Sequence, residues 1–379
     1  MRWHHMILAA VIALLLIPGL RAAAVDGSPC LSNSALTCVM SGLDNVRGLA
    51  FGPDGALYAV EGGKGGDGPC TLESGVRVCY GPTGAITRLW QGVQERVVDG
   101  LPSLAVNDPA TPNRKGQVAN GPTDLAFGPA EDEDGDGVAD TWSAYLTIGL
   151  RNDPNKRNDL GQAGAGFAQL LRFAPNGKAR FIGDMGTYEI EANPDGGPID
   201  SNPFGLLVDH GSRIVVDSGA NALLRVTGNG HGPISTIATF PSRAQGEPTD
   251  AVPTSVAVGP DGAYYVSELK GIPFATWNSP VYRVVPGETP TVFIDGFKMI
   301  VDIAFDAGGN LYVLQHATAT GSTFGRSGAL VKVAPDGTRT TIIGGLRQPT
   351  SVVIGDDGAL YVTNNGSFPA IGEVIRIAP

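Results

Sequence analysis

A ten-residue unit, FGPDGALYAV at Phe51–Val60, constrains this chain more than any other feature. Two short apolar runs flank a Gly-Pro-Asp-Gly turn, the pattern of a tight β-hairpin. The unit returns as VGPDGAYYV at Val258–Val266, FDAGGNLYV at Phe305–Val313 and IGDDGALYV at Ile354–Val362, and Phe127 and Val208 open two degenerate copies. A hairpin that recurs along the chain is a blade unit, because one hairpin cannot bury its own apolar face. Inner strands are predicted to start near Arg47, Thr123, Phe204, Thr254, Val301 and Thr350, which makes six blades. Each blade should run inner strand, tight turn, LYV-type strand, variable loop, I-x-R-V-type strand, second turn and outer strand. Ala35–Leu43 matches the segments that end other repeats, Glu95–Leu101 and Thr340–Leu346, whereas the last repeat stops at Ile377 without one. The N-terminal strand should therefore complete the last blade and remove the free edge. The expected fold is all-β: a six-bladed β-propeller of four-stranded blades, one domain over residues 35–379.

The start of the chain reads as an export signal. Residues 1–24 have a polar, partly basic opening and an apolar run, Met6–Ile17, too short to span a bilayer. Small residues at Ala22 and Ala24 place cleavage after Ala24, and residues 25–34 form a polar leader. Cleavage removes Arg2 and Arg21 and no acid, so the 26 basic residues fall to 24 against 37 acidic ones. That balance opposes nucleic acid and anionic membrane as partners. Past the signal no second apolar segment suggests a transmembrane span. Cys30, Cys38, Cys70 and Cys79 all follow the signal, and an even count in an exported chain suggests disulfides. The sequential pairing, Cys30–Cys38 and Cys70–Cys79, is the simplest. Neither pair resembles a zinc site.

Blade topology sorts the loops. Connections after strands two and four share one face, the top; turns after strands one and three share the bottom. The bottom turns are mostly minimal, while the long connections Glu61–Gly84, Ser103–Gly121, Leu150–Ala168, Thr187–Asn202, Ser242–Val252 and Leu269–Pro280 fall on top. Functional groups tend to sit on loops carried by a rigid scaffold, so the top is the expected working face.

Several segments are shared with one family: GLDNVRGLAFGPDGALY, CYGPTGAITRL, GPTDLAFGP, TYEIEANPDG, SNPFGLLVD, VVDSGANALLRV and VYRVVPGETP. On these the chain resembles the ScyD/ScyE family over roughly residues 35–379, and VVDSGANALLRV also looks like an NHL-type repeat. The resemblance implies an exported propeller; it does not imply synthesis of the pigment scytonemin. The DEDGDG insertion at Asp132 departs from the family's usual short turn.

Two constellations could carry chemistry. In DEDGDGVAD, Asp132, Asp134 and Asp136 alternate, Gly137 permits a sharp turn and Asp140 follows, so hard oxygens can converge on Ca²⁺. The closing glutamate of an EF-hand is replaced by Ser143. As a bottom turn, this loop would carry a structural ion, or be a solvated acidic hairpin. The second constellation is the top mouth. Asn45, Arg47, Asn120, Asn202 and Gln348 flank the starts of inner strands, and Glu61, Asp217, Glu268, Gln315 and Asn364 end second strands. Six-bladed lactonases hold a catalytic dication in such a place, an analogy of fold alone. Buried polar groups can equally serve one another. Asp124 and Asp302 share one inner-strand register, with Arg47 as a possible partner for Asp124. His316 is the one mature-chain histidine near the mouth; His210 and His231 fall in bottom turns. No nucleophile elbow, phosphate loop or dinucleotide fingerprint occurs, so no nucleotide, flavin or haem is expected.

Two functions fit. The first is a binding or accessory module whose top face takes a small molecule or a protein. The alternative is a divalent-metal-dependent hydrolase of lactonase type, which needs three or more of Glu61, Asn202, Asp217 and Glu268 around one ion.

Overall fold

The recurring turn owes its sequence to its hydrogen bonds. In Gly52–Gly55 the Gly52 N–H donates to the Ala56 carbonyl (2.9 Å), the Gly55 N–H to the Gly52 carbonyl (2.9 Å), and Asp54 Oδ1 accepts from the Ala56 N–H (3.1 Å). Gly55 adopts φ +76°, where a side chain would be strained. The aspartate also reaches the two following strands: Tyr58 Oη donates to Asp54 Oδ2 (3.0 Å) and so does Arg88 Nη2 (2.8 Å). Blade four repeats this with Asp261, Tyr265 and Arg283, and in blade six Arg376 joins the other two, donating to Asp357 and to Tyr361 Oη. The Asp of the turn, the Tyr of LYV and the Arg of I-x-R-V are thus one clasp across three strands of a blade.

The computed structural model describes residues 36–129, 142–173, 179–228, 232–240, 250–271, 278–319 and 325–379. They form six antiparallel sheets, whose inner strands are Val46–Phe51, Pro122–Gly128, Pro203–Asp209, Pro253–Val258, Ile300–Phe305 and Val352–Ile354. The strand Leu36–Leu43 pairs with Gly372–Ile377 and completes the sixth blade, as the truncated last repeat required. Among the described residues no helix is long and apolar enough to cross a membrane.

The second and third strands of the blades are buried on both sides, which explains runs that do not alternate, whereas outer strands such as Thr291–Phe297 are largely exposed. In Ser212–Asp217, Ile214 and Val216 enter a cluster with Tyr264, Val266 and Tyr282 of blade four. Val215, between them, faces Tyr145 and Leu170 of blade two. A strand inside the ring has no solvent face for polar residues.

Blade one departs from the expected scheme. Its third and fourth strands run on as a long hairpin, Val76–Trp90 and Val93–Val106, paired from Trp90↔Val93 up to Val78↔Val106. The connections expected at Glu61–Gly84 and Ser103–Gly121 are therefore partly strand, and register shifts between Gly81 and Thr87 absorb the break in pattern. A fifth strand, Cys70–Glu73, lies against the extension, and Cys70 and Cys79 are cross-strand neighbours joined by a disulfide. Cys38 is also disulfide-bonded, and Cys30 lies outside the described residues. So do the signal and leader segments, His231 and the acidic residues Asp132, Asp134, Asp136 and Asp140. Two connections read as loops carry helical structure, Pro154–Gly166 and Met185–Ala192.

Candidate functional site at the top mouth

The inner strands set a ring around the axis. In the register of Arg47 stand Thr123, Phe204, Thr254, Val301 and Thr350, so threonine alternates with a larger side chain. The threonines join blades. Thr123 Oγ1 donates to the Pro203 carbonyl (2.8 Å), Thr254 Oγ1 to that of Ile300 (3.0 Å) and Thr350 Oγ1 to that of Val46 (2.9 Å). Arg47, Phe204 and Val301, which make none of these bonds, form with Thr254 and Thr350 the floor of a cavity of about 250 Å³. Its walls are top-face connections: Val118, Arg151, Asn202, Val252, Leu269, Met299 and His316. A second cavity of about 480 Å³ adjoins it through Val118, Arg151, Asn202 and Val252, and reaches Glu73, Asp200 and Asp250.

Of the ten mouth residues expected from sequence, Arg47, Asn202 and Gln348 line the cavity. Four of the others make one recurring bond within their own blade. The residue ending strand two accepts the backbone N–H where the chain enters the inner strand: Glu61 from Asp44 (2.7 Å), Asp217 from Asn202 (2.6 Å), Gln315 from Lys298 (2.8 Å) and Asn364 from Arg347 (2.7 Å). Glu268, the fifth residue of this kind, is buried at the same corner of blade four, opposite Pro253. Asn45 bonds the carbonyls of Gly63 and Gly116 (both 2.8 Å), and Asn120 donates to Glu73 (2.6 Å). Glu61 further accepts from Thr87 (2.5 Å) and Arg96 (2.6 Å). Among the described residues no three His, Cys, Asp or Glu side chains form a metal-binding group, so Glu61, Asp217 and Glu268 are not gathered around one point.

Arg47 does not pair with Asp124. Its Nη1 donates to the Gly366 carbonyl (2.5 Å) and its Nη2 to that of Ala119 (2.6 Å). Asp124 instead accepts from the N–H groups of Leu125 (2.9 Å) and Leu206 (2.8 Å), below the mouth. A Cβ at residue 48 would fall 2.3 Å from Asp124 Oδ1, so glycine is required there. Burial, aided by Asp302, holds the Asp124 carboxyl well above the usual range.

Charge in the mouth is one-sided. Among the described residues no acidic side chain lines the smaller cavity, which holds Arg47 and Arg151. Arg151 is paired with Glu73, carried on the disulfide-bonded hairpin. Among the described residues Arg47 has only carbonyl partners, and burial, with Arg151 nearby, pushes its guanidinium down to about 9. His316 Nδ1 lies 2.9 Å from the Pro349 carbonyl. A carbonyl only accepts, so Nδ1 carries the proton and Nε2 of the neutral ring is an acceptor. Burial lowers this imidazole to about 4.

In the adjoining cavity, burial and the charges of Asp217, Asp250 and Glu73 raise Asp200 to about 7, and its Oδ1 has no hydrogen-bond partner. A carboxyl poised there can give or take a proton near neutrality. Neither Asp200 nor Arg151 stood out in the sequence, because both follow loop segments without a pattern. The sign for stability is definite. The unfolded carboxyl loses its proton near pH 4 and the folded one near 7, so stability falls as pH rises between them. Asp200→Asn should gain about 2 kcal/mol on wild type at pH 8 and nearly nothing at pH 4, after discounting for partial exposure. Urea denaturation at both pH values measures this; an equal change at both would refute the assignment.

No protein-family model matches the sequence, and no curated protein matches it. Solved structures do. A protein described as an oxidoreductase (glucose dehydrogenase) from Thermus thermophilus is similar at TM-score 0.54 and 17% identity, over 90% of this chain and 99% of that one. Another glucose dehydrogenase gives 0.52 and 15%, over 91% and 99%. A Bacteroides thetaiotaomicron protein of unknown function gives 0.50 and 11%, over 91% and 75%. The likeness is one of fold. At such identity a shared propeller carries no activity across.

Proposed function

We propose that the protein is an exported propeller of the ScyD/ScyE type that binds a small molecule in its top mouth, as a binding or accessory module. One observation carries the reading. The residue just before an inner strand adopts a left-handed conformation at Asn45 (φ +51°), Val252 (φ +52°) and Met299 (φ +42°). Asparagine tolerates that conformation; a β-branched residue is a genuine outlier in it. Val252 and Met299 both line the cavity, as does Val118 at φ +54°. An apolar wall is kept where a polar residue would cost less backbone strain, and such strain gathers at binding sites. Lined mainly by apolar groups with a few convergent polar ones, the mouth has the composition of a ligand pocket.

The hydrolase alternative lacks support at its predicted ligands, most of which hold the blade corners. Calcium at Asp132, Asp134, Asp136 and Asp140 remains our proposal for a structural ion, resting on their spacing.

Val118 sits at the rim, so Val118→Trp should fill the mouth without disturbing a core. Ligand-observed NMR with a library of small fragments should give hits on wild type that vanish in this variant. Hits that all survive would sink the mouth as the site. Metal analysis of the same preparation should find one calcium, lost in Asp134→Asn/Asp136→Asn. A dication at the mouth, with dication-dependent hydrolysis of a lactone panel, would put the hydrolase first.

A further inference from the structure

Among the described residues that line the smaller cavity, Arg47 is the cation without a carboxylate partner. The guanidinium belongs to a residue that is 8% exposed, and it lies at the cavity floor. Other arginines nearby meet carboxylates: Arg96 pairs with Glu61 and Asp44, and Arg151 with Glu73. Among the described residues Arg47 forms no ion pair, and its two bonds run to carbonyls of Gly366 and Ala119. These use two of its five N–H donors, which leaves enough for a two-point bond to a planar anion. Around it the surface is mainly apolar, with Phe204 and Val301 at the floor and Val118, Val252, Leu269 and Met299 above, interrupted by polar groups such as Asn202, His316 and Gln348. The whole chain carries a formal charge of −11, yet among the described residues no acid lines this cavity. A protein this acidic repels anions over most of its surface, so a cationic floor behind apolar walls is a selective feature.

On the reading of the mouth as a ligand site, we infer that its ligand is a small organic monoanion, a carboxylate with an apolar body. The carboxylate sits on Arg47 and the body lies against Phe204, Val252 and Met299. One uncompensated cation suits a single negative charge, and apolar walls disfavour inorganic phosphate or sulfate, which have no apolar part to bury. Arginine suits a carboxylate better than lysine would, because its planar fork matches two oxygens at once.

Three probes with the same chain and different heads isolate the charge: octanoate, octan-1-ol and octylammonium, titrated into the full protein by calorimetry. We expect octanoate to bind at least about 10-fold more tightly than octan-1-ol, the scale of one charge-assisted hydrogen-bond pair, and octylammonium not to bind. Arg47→Met should weaken octanoate at least about 10-fold and leave octan-1-ol within about threefold; Arg47→Lys should keep part of the preference. The wild-type series needs no variant to fold. Octan-1-ol binding as tightly as octanoate, or octylammonium binding better, would overturn the anion assignment while leaving the mouth a ligand site. Failure of all three probes would also overturn it. Only fragment hits that survive Val118→Trp would bring down the site itself.

Discussion

Replacing Met40 and Leu43 together with alanine should cost about 5 kcal/mol, a large part of the stability of a typical domain. Both side chains are 1% exposed and lie on the strand Leu36–Leu43, in a cluster with Val46, Leu49 and Val374. Val374 belongs to the last blade and Val46 to the first, so this cluster is the seam of the ring. Large-to-small changes at such sites lose transfer energy and leave cavities, about 2–5 kcal/mol each, and two residues in one cluster need not add. The effect should exceed the packing term, because a loosened strand uncovers the edge of Gly372–Ile377 for pairing with other chains. Denaturant unfolding measures the first effect, and light scattering near the midpoint the second. Thr37→Ala, exposed on the same strand, should change neither. A double variant within about 1 kcal/mol of wild type would mean that the seam does not hold the ring.

Asp302→Ala should cost about 4 kcal/mol. The carboxylate accepts from Ser255 Oγ (2.6 Å), Ser351 Oγ (2.9 Å), and the N–H groups of Val352 (2.8 Å) and Ile303 (2.8 Å). It ties blades four, five and six together at the axis. Alanine strands four donors where water has little room, at about 1–3 kcal/mol for each that finds no new partner. Asp302→Asn keeps one acceptor oxygen and should lose about half as much. Burial outweighs these four donors and raises the carboxyl above its usual range. The wild type therefore gives up part of this group's contribution as pH rises through the folded value, whereas Asp302→Asn does not. The gap between the two should narrow from acid to neutral pH. A constant gap would show that Asp302 titrates as an ordinary carboxylate.

Both variants test features that the sequence exposed to different degrees. Asp302, with Asp124, stood out as a carboxylate in an inner-strand register otherwise filled by Gly48, Gly205, Ser255 and Ser351. Its partners did not, because they come from neighbouring blades about 50 residues away, the usual propeller period. The same limit misdirected the expected Arg47–Asp124 pair: both sit where the sequence put them, one register step apart. One step along a strand reverses the side chain, however, and Arg47 turns up to the mouth while Asp124 lies below it.

The polar residues ending each second strand show this most clearly. Glu61, Asp217, Gln315 and Asn364 recur at one position, and recurrence at the mouth suggested a shared ligand. Their recurrence has a local cause: in four blades this residue accepts the backbone N–H at the inner-strand entry. A feature shared by most blades answers a need of the scaffold. What singles out the mouth is instead what does not repeat: Arg47 among threonines, Arg151 beside Glu73, Asp200 without a donor.

By itself the sequence determined the blade count, the turn chemistry and the closure by the N-terminal strand. Those depend on contacts within one repeat, and a repeat written six times is its own control. Tertiary structure alone decided which polar groups engage one another and which face the cavity. That depends on six inner strands meeting at one axis, where side chains distant in sequence compete for the same few donors, acceptors and charges.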